Sequence, residues 1–174
     1  KYLLTKLEDK INLIENYGID ILFIISFTKK TALITADNFL DKIIKCFRPI
    51  HFVIGYNHSF GHKRKGNIDF IRLYSKKHFK VHLIKKQIIF NKKSISSTKI
   101  RNYISKGKID NANILLGREY SLRGFIVKGQ GVGRTINFPT INIKALDSSQ
   151  LIPSKGVYFV KLKLENHLYS GMCN

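Results

Sequence analysis

The chain has 174 residues, 44% of them hydrophobic, with 31 lysines and arginines against 11 carboxylates and a formal charge of +20. That length can bury a core and allows one domain or two small ones, and the longest strongly apolar run, Ile21 to Phe27, is far too short to span a bilayer as a helix. The charge invites a nucleic-acid reading, yet lysine outnumbers arginine more than three to one and the lysines are spread along the whole chain. AT-rich coding DNA favours lysine, isoleucine and asparagine together, so no specific nucleic acid is expected, and no membrane. The opening residues lack the texture of a signal or transit segment. Cys46 and Cys173 lie far apart with no CxxC, which predicts two unpaired thiols in a reducing cytoplasm.

In chain order, Leu4, Leu7, Ile11 and Ile14 recur at helical spacing and predict a helix over 3–17, stopped by Gly18. Ile21 to Ile25 is a continuous apolar run of the kind that a strand buried on both faces carries. Thr35 precedes a second helix marked by Phe39, Ile43, Ile44 and Phe47. Phe52 to Ile54 is the next buried strand, followed by a helix over 69–78 and strands near 81–84 and 88–90. Such alternation predicts a parallel sheet with helices on both faces. Residues 97–116 read as two helices broken at Gly107, the second capped by Asp110 and ended by Gly117. Then the texture changes: short strands at 125–127, 141–143, 157–164 and near 168–169, parted by Gly, Pro and Ser, predict an antiparallel barrel or sandwich. The domain boundary falls near 117–122, giving domains 1–117 and 118–174.

Two motifs carry chemistry. In Gly129 to Asn142, GQGVGRTINFPTIN, three glycines alternate at Gly129, Gly131 and Gly133. Alternating glycines clear the backbone so that its N–H groups can crowd a phosphate, although a glycine-rich loop alone equally makes a hairpin turn. Arg134 adds a planar fork suited to phosphate oxygens. Thr140 and Asn142 are hard oxygen donors two apart, on one side of an extended strand, a plausible grip on Mg2+ beside a nucleotide.

The other motif, Ile95 to Arg101, ISSTKIR, sits where a strand gives way to a helix. Ser96 or Ser97 can cap that helix, and its free first-turn N–H groups and positive dipole end face outward. Arg101 lies one turn in from Ser97 and can lean over the same point. An ordinary serine cap with a solvated arginine explains the same residues. In a doubly wound sheet, however, ligands collect at the carboxyl ends of strands, where the motif falls.

The glycine motif resembles the riboflavin kinase pattern GxGxGRxxGFPTAN, with Asn137 where the family usually has glycine and Ile141 where it usually has alanine. Gly55, Asn57, Phe60, Gly61, Arg64 and Gly66, then Ser96, Ser97, Thr98 and Arg101, resemble two blocks of the FAD synthetase module of bifunctional riboflavin kinase/FAD synthetases, with His58 where phenylalanine is more usual. Residues 3–20, 116–124, 152–160 and 171–174 extend the similarity over nearly the whole chain. The resemblance implies an α/β nucleotidyltransferase-type domain followed by the start of an antiparallel β-barrel. It implies ATP-dependent phosphorylation of riboflavin to FMN and adenylylation of FMN to FAD, with Mg2+. Small-molecule substrates are the expected partners.

Asn57, Ser97, Thr98 and Arg101 would serve the adenylyltransferase; Gly129, Gly131, Gly133 and Arg134 would hold the kinase nucleotide; Thr140 and Asn142 would hold its metal. The family's histidine motif belongs before Lys1, and its glutamate base belongs after Asn174. The expectation is therefore of a fragment cut at both ends and inactive as it stands. His58 to His62 imitates the histidine motif but has one residue too many and follows the wrong strand; a metal site from His51, His58 and His62 lacks a carboxylate or cysteine. A nucleotidyltransferase for another small phosphate and a nonenzymatic flavin or polyanion binder are the alternative classes.

Overall fold

The computed structural model of the chain describes residues 2–75, 78–84, 89–90, 93–135, 137–138, 140–146 and 148–174. They fall into two compact units, one of residues 21–88 and the other of residues 1–20 with 89–174.

In the unit of residues 21–88, a four-residue helix α2 (Lys29–Ala32) is closed by a capping box between Thr28 and Thr31. Helix α3 (Ala36–Phe47) follows, and Thr35, which precedes it in sequence, caps it, its hydroxyl accepting from the Asn38 N–H. Strands β1 (His51–Gly55) and β2 (Lys80–Ile84) pair in parallel, with Phe52 opposite Val81 and Ile54 opposite Leu83. Helix α4 (Ile68–Ser75) connects them and takes its N-terminal hydrogen bond from the Asn67 side chain, which accepts from Phe70 N–H at 2.9 Å. Strand alternation puts Phe52, Ile54, Val81 and Leu83 on one face, where Leu40 of α3, Ile71 of α4 and Phe79 complete the core.

The expected strand at Ile21 to Ile25 does not form. Phe23 meets Phe47 edge-on at 4.4 Å, but Ile21 and Phe23 to Ile25 are each more than half exposed. A strand exists only through a ladder, and among the described residues β1 and β2 pair only with each other. An apolar run shows that a segment can be covered on both faces and says nothing about what covers it. For the same reason β1 is buried on one face only: Val53 is 64% exposed while its neighbour Ile54 is 4% exposed.

The other unit begins with Leu3 in a parallel bridge to Gln150, so helix α1 starts later than its spacing suggests and spans Leu7–Glu15. Strands β3 (Ile89–Phe90) and β4 (Lys93–Ser94) make a small antiparallel pair; the strand expected near 88–90 is therefore half of a hairpin and not a further parallel strand, while Ile88 lies outside the described residues. Helices α5 (Ser97–Ser105) and α6 (Ile109–Leu116) follow, parted at Gly107 as expected. Lys108, not Asp110, occupies the α6 N-cap and makes no side-chain cap; Asp110 stands in the first turn, where its charge favours the dipole. Gly117 ends α6 in the left-handed conformation. Ile100, Ile104, Ala112 and Leu151 form the core of this unit, with Leu4, Ile95, Tyr103 and Tyr120 against it.

Beyond α6 the strands are antiparallel, as their texture predicts. Strand β5 (Gly124–Val127) pairs with β6 (Asn142–Ala145), and β7 (Tyr158–Leu164) pairs with β8 (His167–Cys173). The two ladders are separate two-stranded sheets, so the barrel is begun and not closed. Both cysteines are free and exposed. Among the described residues no helix is long and apolar enough to cross a membrane.

Leu40 is fully buried, so Leu40→Ala is expected to cost roughly 2–5 kcal/mol, read as a lower urea midpoint at unchanged slope. Alanine at the 65% exposed Leu33 should change stability by less than about 0.5 kcal/mol.

A second expectation concerns the Tyr74 hydroxyl of α4, which donates to the Asp41 carboxylate of α3. That hydrogen bond, then desolvation, then the charges of Asp41 and Asp37 raise the phenol from 10.0 to about 12. The folded state thus holds the proton more tightly, and its stabilisation is complete below pH 10.0 and lost as pH rises toward about 12. An ultraviolet titration of Tyr74→Phe should lack a late-titrating tyrosine that the parent shows, and that variant should lose this part of the alkaline dependence of stability.

Candidate functional site

The first candidate site is the amino end of α5. Ser96 is extended (φ −147°, ψ 149°) and its hydroxyl accepts from the Lys99 N–H at 3.3 Å. Ser96 is therefore the cap, and the hydroxyls of Ser97 and Thr98 are spared that task; both residues are exposed. The first-turn N–H groups have no intrahelical acceptor, and the helix carries no acidic residue there to compete with an anion. Ile100 and Ile104, 6% and 0% exposed, fix the helix in the core. Arg101, one turn along, donates from Nε to the Tyr2 carbonyl at 2.8 Å. Among the described residues no hydrogen bond engages the two terminal nitrogens of the guanidinium, which keep their donors for a ligand. The contact has no sequence signal, because Tyr2 acts through its backbone. The motif follows β4 of the small hairpin and not a strand of the parallel sheet, which corrects the expected placement.

Asn57 belongs to the unit of residues 21–88, just past the carboxyl end of β1, and is exposed. The turn it sits in is held by His58 N–H to Gly55 C=O at 3.0 Å. Two glycines of the same block have steric work: a Cβ at Gly66 would lie 2.7 Å from the Phe60 ring, and one at Gly61 would lie 2.6 Å from the Ala36 nitrogen. Arg64 donates to the Ser59 hydroxyl at 2.7 Å. The histidines have separate partners. His62 Nδ1 lies 3.2 Å from the Ala32 carbonyl, and His51 Nδ1 lies 2.9 Å from His82 Nε2. Among the described residues no three histidine, cysteine or carboxylate side chains gather as a metal site.

A cavity of about 520 Å³ opens at the other end of this unit, between the carboxyl ends of α3 and α4 and the amino ends of β1 and β2. Arg48, His78 and Lys80 line it. They complement the negative helix ends that meet there, an electrostatic duty that needs no ligand.

The second candidate site is the loop between β5 and β6. Val127 and Asn142 are cross-strand partners at its base. Gly131 is left-handed (φ 76°), residues Val132–Thr135 make one helical turn α7, and Phe138 N–H donates to the Gly133 carbonyl at 2.7 Å. The loop thereby closes on the two expected metal ligands. A Cβ at Gly129 would run into the Asn142 amide, and one at Gly133 would meet the Phe138 carbonyl and, at 2.9 Å, the Thr140 hydroxyl. Strand β6 begins at Asn142, so the position of Thr140 comes from the loop and not from strand alternation. The Arg134 side chain and Pro139 lie outside the described residues.

Asn137, the departure from the glycine of the resembling family, has φ 53°. Asparagine is among the residues best able to take that left-handed conformation, so the backbone demand is met without glycine.

The unit of residues 21–88 has the helix-covered parallel strands of an α/β fold, and the capped helix and the glycine loop each present backbone of a kind suited to phosphate. The chain belongs to the FAD synthetase family, whose model matches residues 1–99, and residues 116–174 match the riboflavin kinase model. Over 174 residues it is 36% identical to a bifunctional riboflavin kinase/FMN adenylyltransferase of Listeria monocytogenes and 35% identical to that of Bacillus subtilis, each match covering 100% of this chain and 54% of the relative. The Escherichia coli K12 enzyme of the same description is 29% identical over 160 residues, covering 91% of this chain and 50% of its own. A crystal structure described as a macrolide-efflux protein from Streptococcus pneumoniae superposes with a TM-score of 0.84 at 28% identity, over 97% of this chain and 54% of that one. The chain thus spans about half the length of these relatives.

The steric argument makes a direct expectation. Gly133→Ala should destabilise the loop, because the new methyl displaces the Phe138 carbonyl or the Thr140 hydroxyl, whereas Asn137→Gly should change stability by no more than about 1 kcal/mol. Urea unfolding of the two variants checks both statements.

Proposed function

We propose that the chain is part of a bifunctional enzyme of flavin cofactor synthesis, which phosphorylates riboflavin to FMN and adenylylates FMN to FAD. The observation that carries the reading is the closure of the glycine loop on Thr140 and Asn142, within the segment similar to riboflavin kinase. In this reading residues 1–117 serve adenylylation and residues 118–174 begin the kinase, and the protein works in the cytoplasm on small molecules.

In the kinase half, the terminal hydroxyl of the ribityl chain attacks the γ-phosphorus of ATP. The new P–O bond forms as the β–γ bridge breaks, ADP leaves, and a carboxylate base takes the hydroxyl proton. Gly129, Gly131 and Gly133 present backbone N–H groups to the phosphates, and Arg134 adds its fork. Thr140 and Asn142 offer the hard oxygen donors that suit Mg2+. Bound there, Mg2+ would neutralise phosphate charge.

In the adenylyltransferase half, a phosphate oxygen of FMN attacks the α-phosphorus of a second ATP, and pyrophosphate leaves. Ser97, Thr98 and the first-turn N–H groups of α5 hold the departing phosphates. Arg101 adds its guanidinium fork to the phosphates as ATP binds, and Asn57 is assigned to the same reaction.

In the complete enzyme, Thr140→Ala should remove riboflavin phosphorylation while FMN adenylylation survives, measured by separating FMN and FAD products. Loss of both activities together would refute the two-site assignment.

A further inference from the structure

Arg101 does not stand free over the end of α5. Its Nε donates to the Tyr2 carbonyl at 2.8 Å, and Tyr2 is followed by Leu3, whose N–H donates to the Ser149 carbonyl at 2.8 Å and which bridges in parallel to Gln150. Gln150 is polar yet only 5% exposed. In the amide orientation that hydrogen bonding dictates, its side-chain oxygen accepts from the Arg123 N–H and its nitrogen donates to the Arg123 carbonyl, each at 2.8 Å. Leu151, the next residue, is buried against Ile100 and Ile104 of α5 itself. The strap of residues 149–151 is therefore anchored on both sides: by its glutamine to residue 123 and by its leucine to the helix that bears Arg101.

We infer that this strap, through Leu3 and the Tyr2 carbonyl, positions the Arg101 guanidinium for the phosphates of ATP in FMN adenylylation, with Gln150 as the positioning residue. The inference rests on the adenylyltransferase role proposed above for Arg101. The physical reason is the fork geometry. One hydrogen bond at Nε to a fixed carbonyl removes rotation about the last bonds of a long side chain, so the two remaining nitrogens are held ready for a bidentate phosphate contact. The entropy of fixing the side chain is then met during folding and not during binding. A residue from the kinase-like segment thus sets a binding group in the adenylyltransferase segment.

The test uses the complete enzyme and measures kcat and KM for ATP in FMN adenylylation, with riboflavin phosphorylation in the same samples as the reporter of folding. Gln150→Ala should raise KM for ATP roughly fivefold with kcat within about twofold of the parent, as loss of a ground-state binding contact requires. Leu3→Pro, which removes the N–H given to Ser149 at an exposed position, should do the same and decides the matter if Gln150→Ala fails to fold. Arg101→Lys should raise KM for ATP roughly tenfold, and Gln150→Ala added to it should change KM no further, since the two act through one contact. Multiplying effects in the double variant, or a parental KM in Gln150→Ala and Leu3→Pro beside a raised one in Arg101→Lys, would overturn the positioning role alone. A parental KM in Arg101→Lys would instead overturn the assignment of Arg101 to ATP, and the inference with it.

Discussion

Much of the larger unit depends on how residues 2 to 9 are held. They contribute the Leu4 side chain to the core, Leu3 bridges to Gln150, and arginines from elsewhere in the chain hold several of the others. Arg101 takes the Tyr2 carbonyl, Arg118 donates to the Thr5 hydroxyl at 2.7 Å, and Arg123 pairs with Glu8 at 2.6 Å and with Asp9. Exposed ion pairs contribute only ~0–1 kcal/mol each, and Arg123 and Glu8 are well exposed. Their contribution is geometric: they tie the start of the chain to residues 118–123, beside the core that α5, α6, Leu4 and the strap after β6 share. Tyr120 reinforces the same junction by donating to the Leu151 carbonyl at 2.6 Å, and burial raises its phenol pKa against the lowering effect of Arg118.

The smaller unit shows the opposite economy. Two helices cover one face of a two-stranded parallel sheet and leave the other face bare, with Val53 and Ile84 on it. Parallel strands are ordinarily covered on both faces. The bare face and the exposed run from Ile21 to Phe27 belong together as surfaces whose composition is that of a protein interior. The antiparallel ladders carry the same signature, with Phe125, Phe159 and Met172 all more than half exposed.

Periodicity made most elements legible in the sequence. Helical spacing located α1, α3, α4, α5 and α6, and Thr35 marked its cap, because these signals are local and the residues that satisfy them are a few positions apart. What failed was what depends on distant partners. Ile21 to Ile25 reads as a buried strand but has no ladder, and the segment near 88–90 pairs with its immediate successor. The candidate site is proposed from residue type, since glycines, hydroxyls and Arg101 stand in recognisable order. It was not legible in its support: Tyr2 acts through a carbonyl and Gln150 sits in no motif. The close approaches of Gly129 to Asn142 and of Gly133 to Thr140 needed the folded loop to be seen.

Asn137 carries a consequence for how such a chain can change. The loop demands a positive φ at that point, and the code for glycine begins with two guanines while that for asparagine begins with two adenines. A left-handed turn can exchange glycine for asparagine. Gly133 lacks that freedom, because a Cβ there would run into the Phe138 carbonyl, and a glycine pressed against backbone cannot be exchanged for any residue with a side chain. The loop thus sorts its own positions: a guanine-rich glycine codon can give way to an adenine-rich asparagine codon at 137, and the same exchange at 133 is stopped by packing.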